Sequence, residues 1–100
     1  MAPSVKGVTA LEGYVVRVLF EDGEVRDADV EPLLDGPVFQ PLREREFFEM
    51  VAVDEFGDTI CWPNGADLDP EVLYGLERPE GEPAPRVTTR ALVSGPADAR

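Results

Sequence analysis

The sequence contains no histidine and only one cysteine, Cys61, among its 100 residues. Without histidine the chain has no Ser/His/Asp or Cys/His catalytic set and no histidine ligand for a metal ion. A single cysteine forms no disulfide within the chain and is typical of a reducing compartment. We therefore expect a protein that is not an enzyme and that uses no metal and no cofactor.

Long apolar runs are also missing from the sequence. No run approaches the about 20 apolar residues that span a bilayer. The residues around Lys6 lack the apolar stretch that defines a signal peptide. These two absences predict a cytoplasmic protein that makes no contact with a membrane.

Basic residues are scarce, with nine lysines and arginines against 21 aspartates and glutamates, which gives a formal net charge of −12. Proteins bind nucleic acids through lysine and arginine contacts to phosphate, so we expect no direct binding to nucleic acid. The hydrophobic content of 43% is ordinary for a folded domain and argues against wholesale disorder.

The charge is distributed unevenly along the chain. Residues 1–76 contain 17 acidic and five basic residues, whereas residues 77–100 contain four of each. The second part also has four prolines and no aromatic residue, so it can bury little apolar surface. We predict a single α+β domain at residues 1–76, followed by a Pro-rich flexible tail at residues 77–100.

The first half of this domain has the pattern of a β-hairpin. Apolar residues alternate from Gly13 to Phe20, and the Asp22-Gly23 pair favours a tight turn into a returning strand over residues 25–30. A single helical turn is predicted over residues 31–34, because proline is favoured at the first helical position.

The second half of the domain predicts a helix, a second hairpin and a last helix. The first helix runs from Pro41 or Leu42 to Met50, with Leu42 and Phe47 facing inward and Met50 as a further candidate for the inward face. Strands follow at residues 51–54 and 59–62, and Asp69-Pro70 starts a helix that ends near residue 76. The predicted fold is α+β, with two antiparallel β-hairpins forming a small sheet beside two or three short helices.

The segment from Trp62 to Tyr74 reads Trp-Pro-Asn-Gly-Ala-Asp-Leu-Asp-Pro-Glu-Val-Leu-Tyr. Together with the strand that ends in Phe20, the Asp22-Gly23 turn and the Pro32-Leu33-Leu34 step, this segment resembles the bacterial domain-of-unknown-function family 2442. The resemblance covers roughly residues 8 to 74.

The resemblance implies a small α+β fold without an established activity. Some members of that family carry an added helix-turn-helix, and many are encoded beside a small protein in an arrangement similar to toxin and antitoxin pairs. This sequence leaves no room for a helix-turn-helix, so the DNA-binding part of that arrangement is not expected here.

The segment from Trp62 to Tyr74 is the first candidate for a functional surface. Tryptophan and tyrosine are enriched in binding hot spots, which makes a partner-recognition patch one hypothesis. The alternative, which we favour, is architectural, because each residue type has a local structural role such as packing, turn formation or helix capping. The candidate residues are Trp62, Asn64, Asp67, Asp69 and Tyr74.

The acidic residues of the first hairpin are the second candidate. They provide either a docking surface for a basic protein or simply a solvated face, and the sequence leaves both interpretations open. A calcium site is not indicated elsewhere either, because the spacing of Asp54, Glu55 and Asp58 does not match the twelve-residue calcium loop and Asp67-x-Asp69 is followed by a proline. The candidate residues are Asp22, Asp27 and Asp29.

No residue suggests catalysis, because the two serines lie near the chain ends and Cys61 lies within a predicted strand. Our first hypothesis is a non-catalytic, antitoxin-like interaction domain that presents its acidic surface to a small basic protein. The alternative is a homodimeric module that pairs through the first hairpin. A weaker alternative is an accessory to a transcription regulator.

Overall fold

The computed structural model describes residues 2–54, 56, 58–75 and 84–90. The described residues form six strands and two short α-helices, with 3₁₀ turns at Glu31–Leu33 and Gln40–Arg43. The strands are β1 (Val5–Ala10), β2 (Val15–Phe20), β3 (Val25–Asp29), β4 (Ala52–Asp54), β5 (Thr59–Cys61) and β6 (Arg86–Arg90); the helices are α1 (Arg45–Phe48) and α2 (Pro70–Tyr74).

An antiparallel sheet with the strand order β1-β2-β3-β6 is the centre of the fold, and β4 and β5 pair separately as a two-stranded sheet. The α+β class predicted from the sequence is confirmed. The strand arrangement is richer than two hairpins, because β1 and β6 flank the first hairpin on either side.

The hairpin of β2 and β3 matches its prediction. Val16, Val18 and Phe20 are fully buried on one face of β2. Gly23 closes the turn with φ 91°, a left-handed conformation that glycine adopts without a steric penalty. Its N–H donates to the carbonyl of Phe20 at 2.9 Å. The alternating apolar pattern therefore predicted this hairpin correctly.

Strand β1 was not predicted, because a bulge disrupts its alternation. The register to β2 shifts between Val5 and Gly7. Val5 and Val8 therefore both face the core although they are three residues apart, whereas a regular strand would place inward-facing residues two apart. The N–H of Val5 also donates to the carbonyl of Asp58 at 3.2 Å, which joins β1 to the turn of the second hairpin.

The prediction of a flexible tail is wrong for β6, which pairs with β3 over five residues. Composition suggested too little apolar surface, but the β-branched Val87, Thr88 and Thr89 suit a strand, and an existing sheet edge supplies their backbone partners. Residues 77–83 and 91–100 of the predicted tail lie outside the described residues.

The helix predicted from Leu42 to Met50 is divided into a 3₁₀ turn and α1. Glu44 has an extended backbone (φ −77°, ψ 123°) between these two elements, and this conformation ends the first turn. The division changes which side chains face inward. Leu42 and Phe48 are fully buried, Phe47 is half-buried, and Met50 is 55% exposed, contrary to our expectation.

Helix α2 begins as predicted. The Asp69 carboxylate accepts a hydrogen bond from the Glu71 N–H at 2.8 Å, and Pro70 occupies the first helical position. The helix ends at Tyr74 because Gly75 adopts φ 93°.

The core lies on the inner face of the four-stranded sheet. Side chains from β2 and β3 pack there with Leu42 and Phe48, with Ile60 and Trp62 of the second hairpin, and with Leu73 of α2. All of the described helices and the β4–β5 hairpin therefore cover this one face of the sheet.

The contribution of β6 is testable with two substitutions in the same strand. Val87 packs against the core, so Val87→Ala should lower the free energy of unfolding by about 1 kcal/mol, which corresponds to one or two partly buried methylene groups. The Thr88 side chain lies on the face of the sheet opposite the core. Thr88→Ala should therefore change the free energy of unfolding by less than about 0.5 kcal/mol. Urea unfolding measures both variants, and equal effects would contradict the register.

Candidate interaction surface

Trp62 lies in the core and does not form part of a surface. It is 2% exposed, its indole N–H donates to the carbonyl of Phe48 at 2.9 Å, and its ring lies 6.0 Å from the Phe48 ring. Burial of the indole therefore removes Trp62 from any partner-recognition patch on the folded chain.

Asn64 is exposed, but both ends of its amide stabilise the turn after Trp62. Its Oδ1 accepts from the Ala66 N–H at 3.1 Å, and its Nδ2 donates to the carbonyl of Val38 at 2.9 Å. Gly65 completes this turn with φ 90°. Asn64 thus ties the second hairpin to the segment that precedes α1.

Asp67 is exposed and lies opposite Cys61 in an isolated antiparallel bridge. Burial raises the pKa of the Cys61 thiol above its ordinary value, and the carboxylates of Asp54 and Asp67 raise it further. The thiol is therefore protonated at neutral pH and is a weak nucleophile.

Tyr74 and Asp22 are brought together across 52 residues of sequence. The Tyr74 hydroxyl donates to the Asp22 carboxylate at 2.5 Å, and the Tyr74 ring meets the Phe20 ring edge to face at 4.9 Å. These contacts hold α2 against the β2–β3 turn.

Arg26 completes this contact and was not recognised from the sequence. It is only 8% exposed, its Nε donates to the carbonyl of Tyr74 at 3.1 Å, and its guanidinium lies 4.5 Å from the centre of the Tyr74 ring. Its Nη1 pairs with Glu24 at 2.7 Å. The alternation of side chains along a strand could have indicated this burial, because position 26 falls on the same face of β3 as the buried Ala28.

The Tyr74–Asp22 hydrogen bond shifts the pKa values of both groups. It lowers the pKa of Asp22, with help from the Glu24 N–H, and it raises the pKa of Tyr74. Asp22 therefore contributes stability above the usual aspartate pKa of about 3.9, and this contribution is lost as the pH falls through the lowered value. Tyr74 contributes stability that is fully present below the usual tyrosine pKa of about 10. This contribution is lost as the pH rises through the raised pKa of Tyr74.

Six carboxylates lie on three chain segments that border the same end of the sheet, and we call them the acidic pole. The Glu21 N–H donates to the carbonyl of Ser4, and the Glu71 carboxylate accepts from the N–H of Ala2 at 3.4 Å, so the β2–β3 turn and α2 both border the start of β1. The acidic pole consists of Glu21, Asp22, Glu24, Asp58, Asp69 and Glu71.

Among the described residues, Arg26 is the one cation that forms an ion pair with a member of the acidic pole. The other described arginines that form ion pairs do so elsewhere. Arg43 pairs with Asp35 at 2.6 Å, and Arg45 pairs with Glu49 at 2.8 Å. The acidic pole therefore keeps most of its negative charge.

Asp27 and Asp29 are not part of the acidic pole. They lie on the outer face of β3, where Asp27 pairs with Arg17 at 2.8 Å and Asp29 pairs with Arg86 at 2.9 Å. The eight candidate residues from the sequence therefore do not form one surface. Asp22 and Tyr74 are in contact, and Asp69 lies at the opposite end of α2 from Tyr74. The other five candidates, Trp62, Asn64, Asp67, Asp27 and Asp29, lie outside the acidic pole.

Phe56 is a surface feature that no pattern in the sequence indicated. Its side chain is fully exposed, at 100%, and its N–H donates to the Asp54 carboxylate at 3.0 Å. It precedes Asp58, a member of the acidic pole, by two residues. A large apolar side chain thus projects into water at the border of the acidic pole.

Residues 5–79 match a family model described as Protein of unknown function (DUF2442). The chain belongs to the DUF2442 family. This confirms the resemblance noted from the segment between Trp62 and Tyr74. The match includes every residue of the acidic pole, whereas β6 of this DUF2442 chain lies beyond its end. No curated protein and no solved structure matches the chain significantly.

The described part of this DUF2442 chain contains neither a candidate metal site nor a candidate membrane-spanning helix. In the part of the chain that the structure describes, no three histidine, cysteine, aspartate or glutamate residues are grouped so that they could hold a metal ion. Within the same residues, no helix has the length and apolar character needed to cross a membrane.

The hydrogen bond from Tyr74 to Asp22 predicts an acid-dependent stability difference. Tyr74→Phe should lower the melting temperature at pH 7, and the deficit should narrow as the pH falls below about 4, because protonation of Asp22 removes the charge that strengthens the bond. Tyr14→Phe is the matched control, since the Tyr14 hydroxyl donates to the uncharged carbonyl of Arg43 at 3.0 Å. A Tyr74→Phe deficit of the same size at pH 3 and pH 7 would contradict this assignment.

Proposed function

We propose that this DUF2442 chain is a non-catalytic interaction domain whose acidic pole docks onto a small basic protein, in the manner of an antitoxin that blocks its partner by occlusion. The observation that carries the proposal is the concentration of six carboxylates from three segments around one exposed end of the sheet. Charge of this kind steers a basic partner to the surface and selects against acidic ones.

The local ion pairs support this proposal. Glu24 is matched by Arg26, whereas Glu21, Asp58 and Glu71 form no ion pair with any described residue. Unmatched carboxylates on one surface repel each other, which costs stability. A basic partner relieves that repulsion, so its binding is favoured most at low ionic strength.

The position of Phe56 supports the same proposal. Aromatic residues are enriched among binding hot spots, where an apolar anchor is surrounded by polar contacts that exclude water. Phe56 supplies such an anchor beside Asp58, so the expected partner surface is basic and contains an apolar pocket.

Co-expression of the tagged chain with the genes that flank its own tests the proposal. A small basic protein should remain bound in a low-salt wash and leave in a high-salt wash, because salt screens the charges that attract it. Recovery of the chain alone, or of a partner whose retention ignores salt, would overturn the proposal.

Neutralising two carboxylates of the acidic pole should weaken this complex. Glu21→Gln combined with Asp58→Asn removes two exposed charges, and asparagine tolerates the left-handed backbone of Asp58 (φ 59°). We expect affinity to fall about two- to fivefold at low salt, as for exposed charge pairs.

The matched control is Glu12→Gln combined with Glu46→Gln, which removes the same charge from exposed positions at the other end of β2 and in α1. Isothermal titration calorimetry with the captured partner compares the two double variants. Equal weakening by both would mean that net charge, and not the acidic pole, determines binding.

Phe56→Ala should weaken the complex by about tenfold or more, as hot-spot truncations do, and should do so at low and high salt alike. The free energy of unfolding should not change, because the side chain is fully exposed. Met50→Ala is the control, since Met50 is also apolar and 55% exposed. Unchanged affinity in Phe56→Ala would remove the anchor from the proposal.

A further inference from the structure

The four-stranded sheet has one face without a helix over it in the part of the chain that the structure describes. Strand residues alternate between faces, and those of the inner face, such as Val16, Val18 and Ala28, are fully buried under the helices and the second hairpin. The residues between them in sequence form the outer face, and these are half-buried or exposed.

The outer face is partly apolar, and its cross-strand pairs follow from the register of β2 and β3. Leu19 lies opposite Val25, Arg17 lies opposite Asp27, and Val15 lies opposite Asp29. The three apolar side chains remain half-buried within the single chain. Covering a face of this composition with another apolar surface lowers the free energy, because apolar area is removed from water.

The outer face is also locally neutral on a molecule of net charge −12. The Arg17 guanidinium forms a bidentate pair with Asp27 at 2.8 and 3.0 Å, and Arg86 pairs with Asp29 at 2.9 Å. Two copies of so acidic a chain repel each other, and this repulsion is weakest where charges of both signs cancel. The outer face is such a region.

A shallow depression of about 350 Å³ lies on the outer face between β2, β3 and β6. Val15, Asp27, Asp29, Arg86 and Thr88 line it. It places one guanidinium beside two carboxylates and one apolar side chain, so a two-fold axis can set Arg86 of one copy against a carboxylate of the other.

We propose that the outer face is a self-association surface, on which a second copy of this chain packs face to face. Four strands of five or six residues cover an area of about 19 by 17 to 20 Å, which is smaller than a standard specific interface, so the contact is a weak one. We therefore expect an equilibrium between monomer and dimer. The first hairpin cannot pair edge to edge, as the sequence suggested, because β1 and β6 flank it.

This surface is separate from the acidic pole, and salt distinguishes the two. Binding of a basic partner weakens as salt rises, whereas self-association of a chain with net charge −12 strengthens, because salt screens the repulsion between copies. The salt dependence of each interaction therefore shows whether the partner-binding proposal or the self-association proposal fails, whatever the outcome of the other.

Sedimentation equilibrium of the full chain tests self-association. The weight-average mass should rise from 11.0 kDa towards twice that value as the concentration increases, and it should rise further at high salt. A mass of 11.0 kDa at every concentration and at both salt levels would overturn the proposal.

Two substitutions on the outer face locate the contact. Leu19→Glu and Thr88→Glu should each raise the dissociation constant about tenfold or more, and Thr88 is exposed, so its variant keeps the fold even where Leu19→Glu does not. Met50→Glu is the control, because it adds the same charge at an exposed apolar residue away from the sheet. A dimer that survives Thr88→Glu, or that Met50→Glu weakens equally, would also overturn the proposal.

Discussion

The guanidinium of Arg26 joins two parts of this chain that are distant in sequence, the β2–β3 hairpin and helix α2. Arginine keeps its charge at every relevant pH, so its burial is tolerated only where hydrogen bonds and an opposite charge replace water. The carbonyl of Tyr74, the Tyr74 ring and the Glu24 carboxylate provide that replacement. Helix α2 is held against the hairpin by these contacts, and this position brings Asp69 and Glu71 beside the β2–β3 turn.

The remaining described arginines that form ion pairs show the same use of scarce positive charge. Arg45 donates to the carbonyls of Leu11 and Gly13, which ties α1 to the loop between β1 and β2. Arg17 and Arg86 pair across neighbouring strands with the aspartates of β3. Because these cations pair with carboxylates elsewhere in the chain, none of them neutralises the acidic pole.

The two proposed surfaces follow from this division of charge. One end of the sheet is strongly negative and carries an exposed aromatic side chain, and the outer face is neutral and partly apolar. A basic partner and a second copy can therefore bind without competing for the same residues. The two proposed modes of binding depend on ionic strength in opposite directions.

Local patterns predicted the elements that depend on local chemistry. Alternating apolar residues and the Asp22-Gly23 turn specified the first hairpin, and Asp69-Pro70 specified the start of α2. The predictions were wrong where one residue changes the geometry, as at the bulge near Gly7 and the extended Glu44. The strand β6 was missed because its stability comes from the edge of β3 and not from its own composition.

The sequence by itself determined the class of fold, the excess of negative charge and the family to which the chain belongs. It could not determine which side chains lie together, because Asp22 and Tyr74 meet across 52 residues and Arg26 is buried against Tyr74 across 48 residues. Only the tertiary structure decided that Trp62 is buried and that Asp27 and Asp29 are neutralised. Side-chain pairing depends on distances in space, and no local pattern in a single sequence encodes those distances.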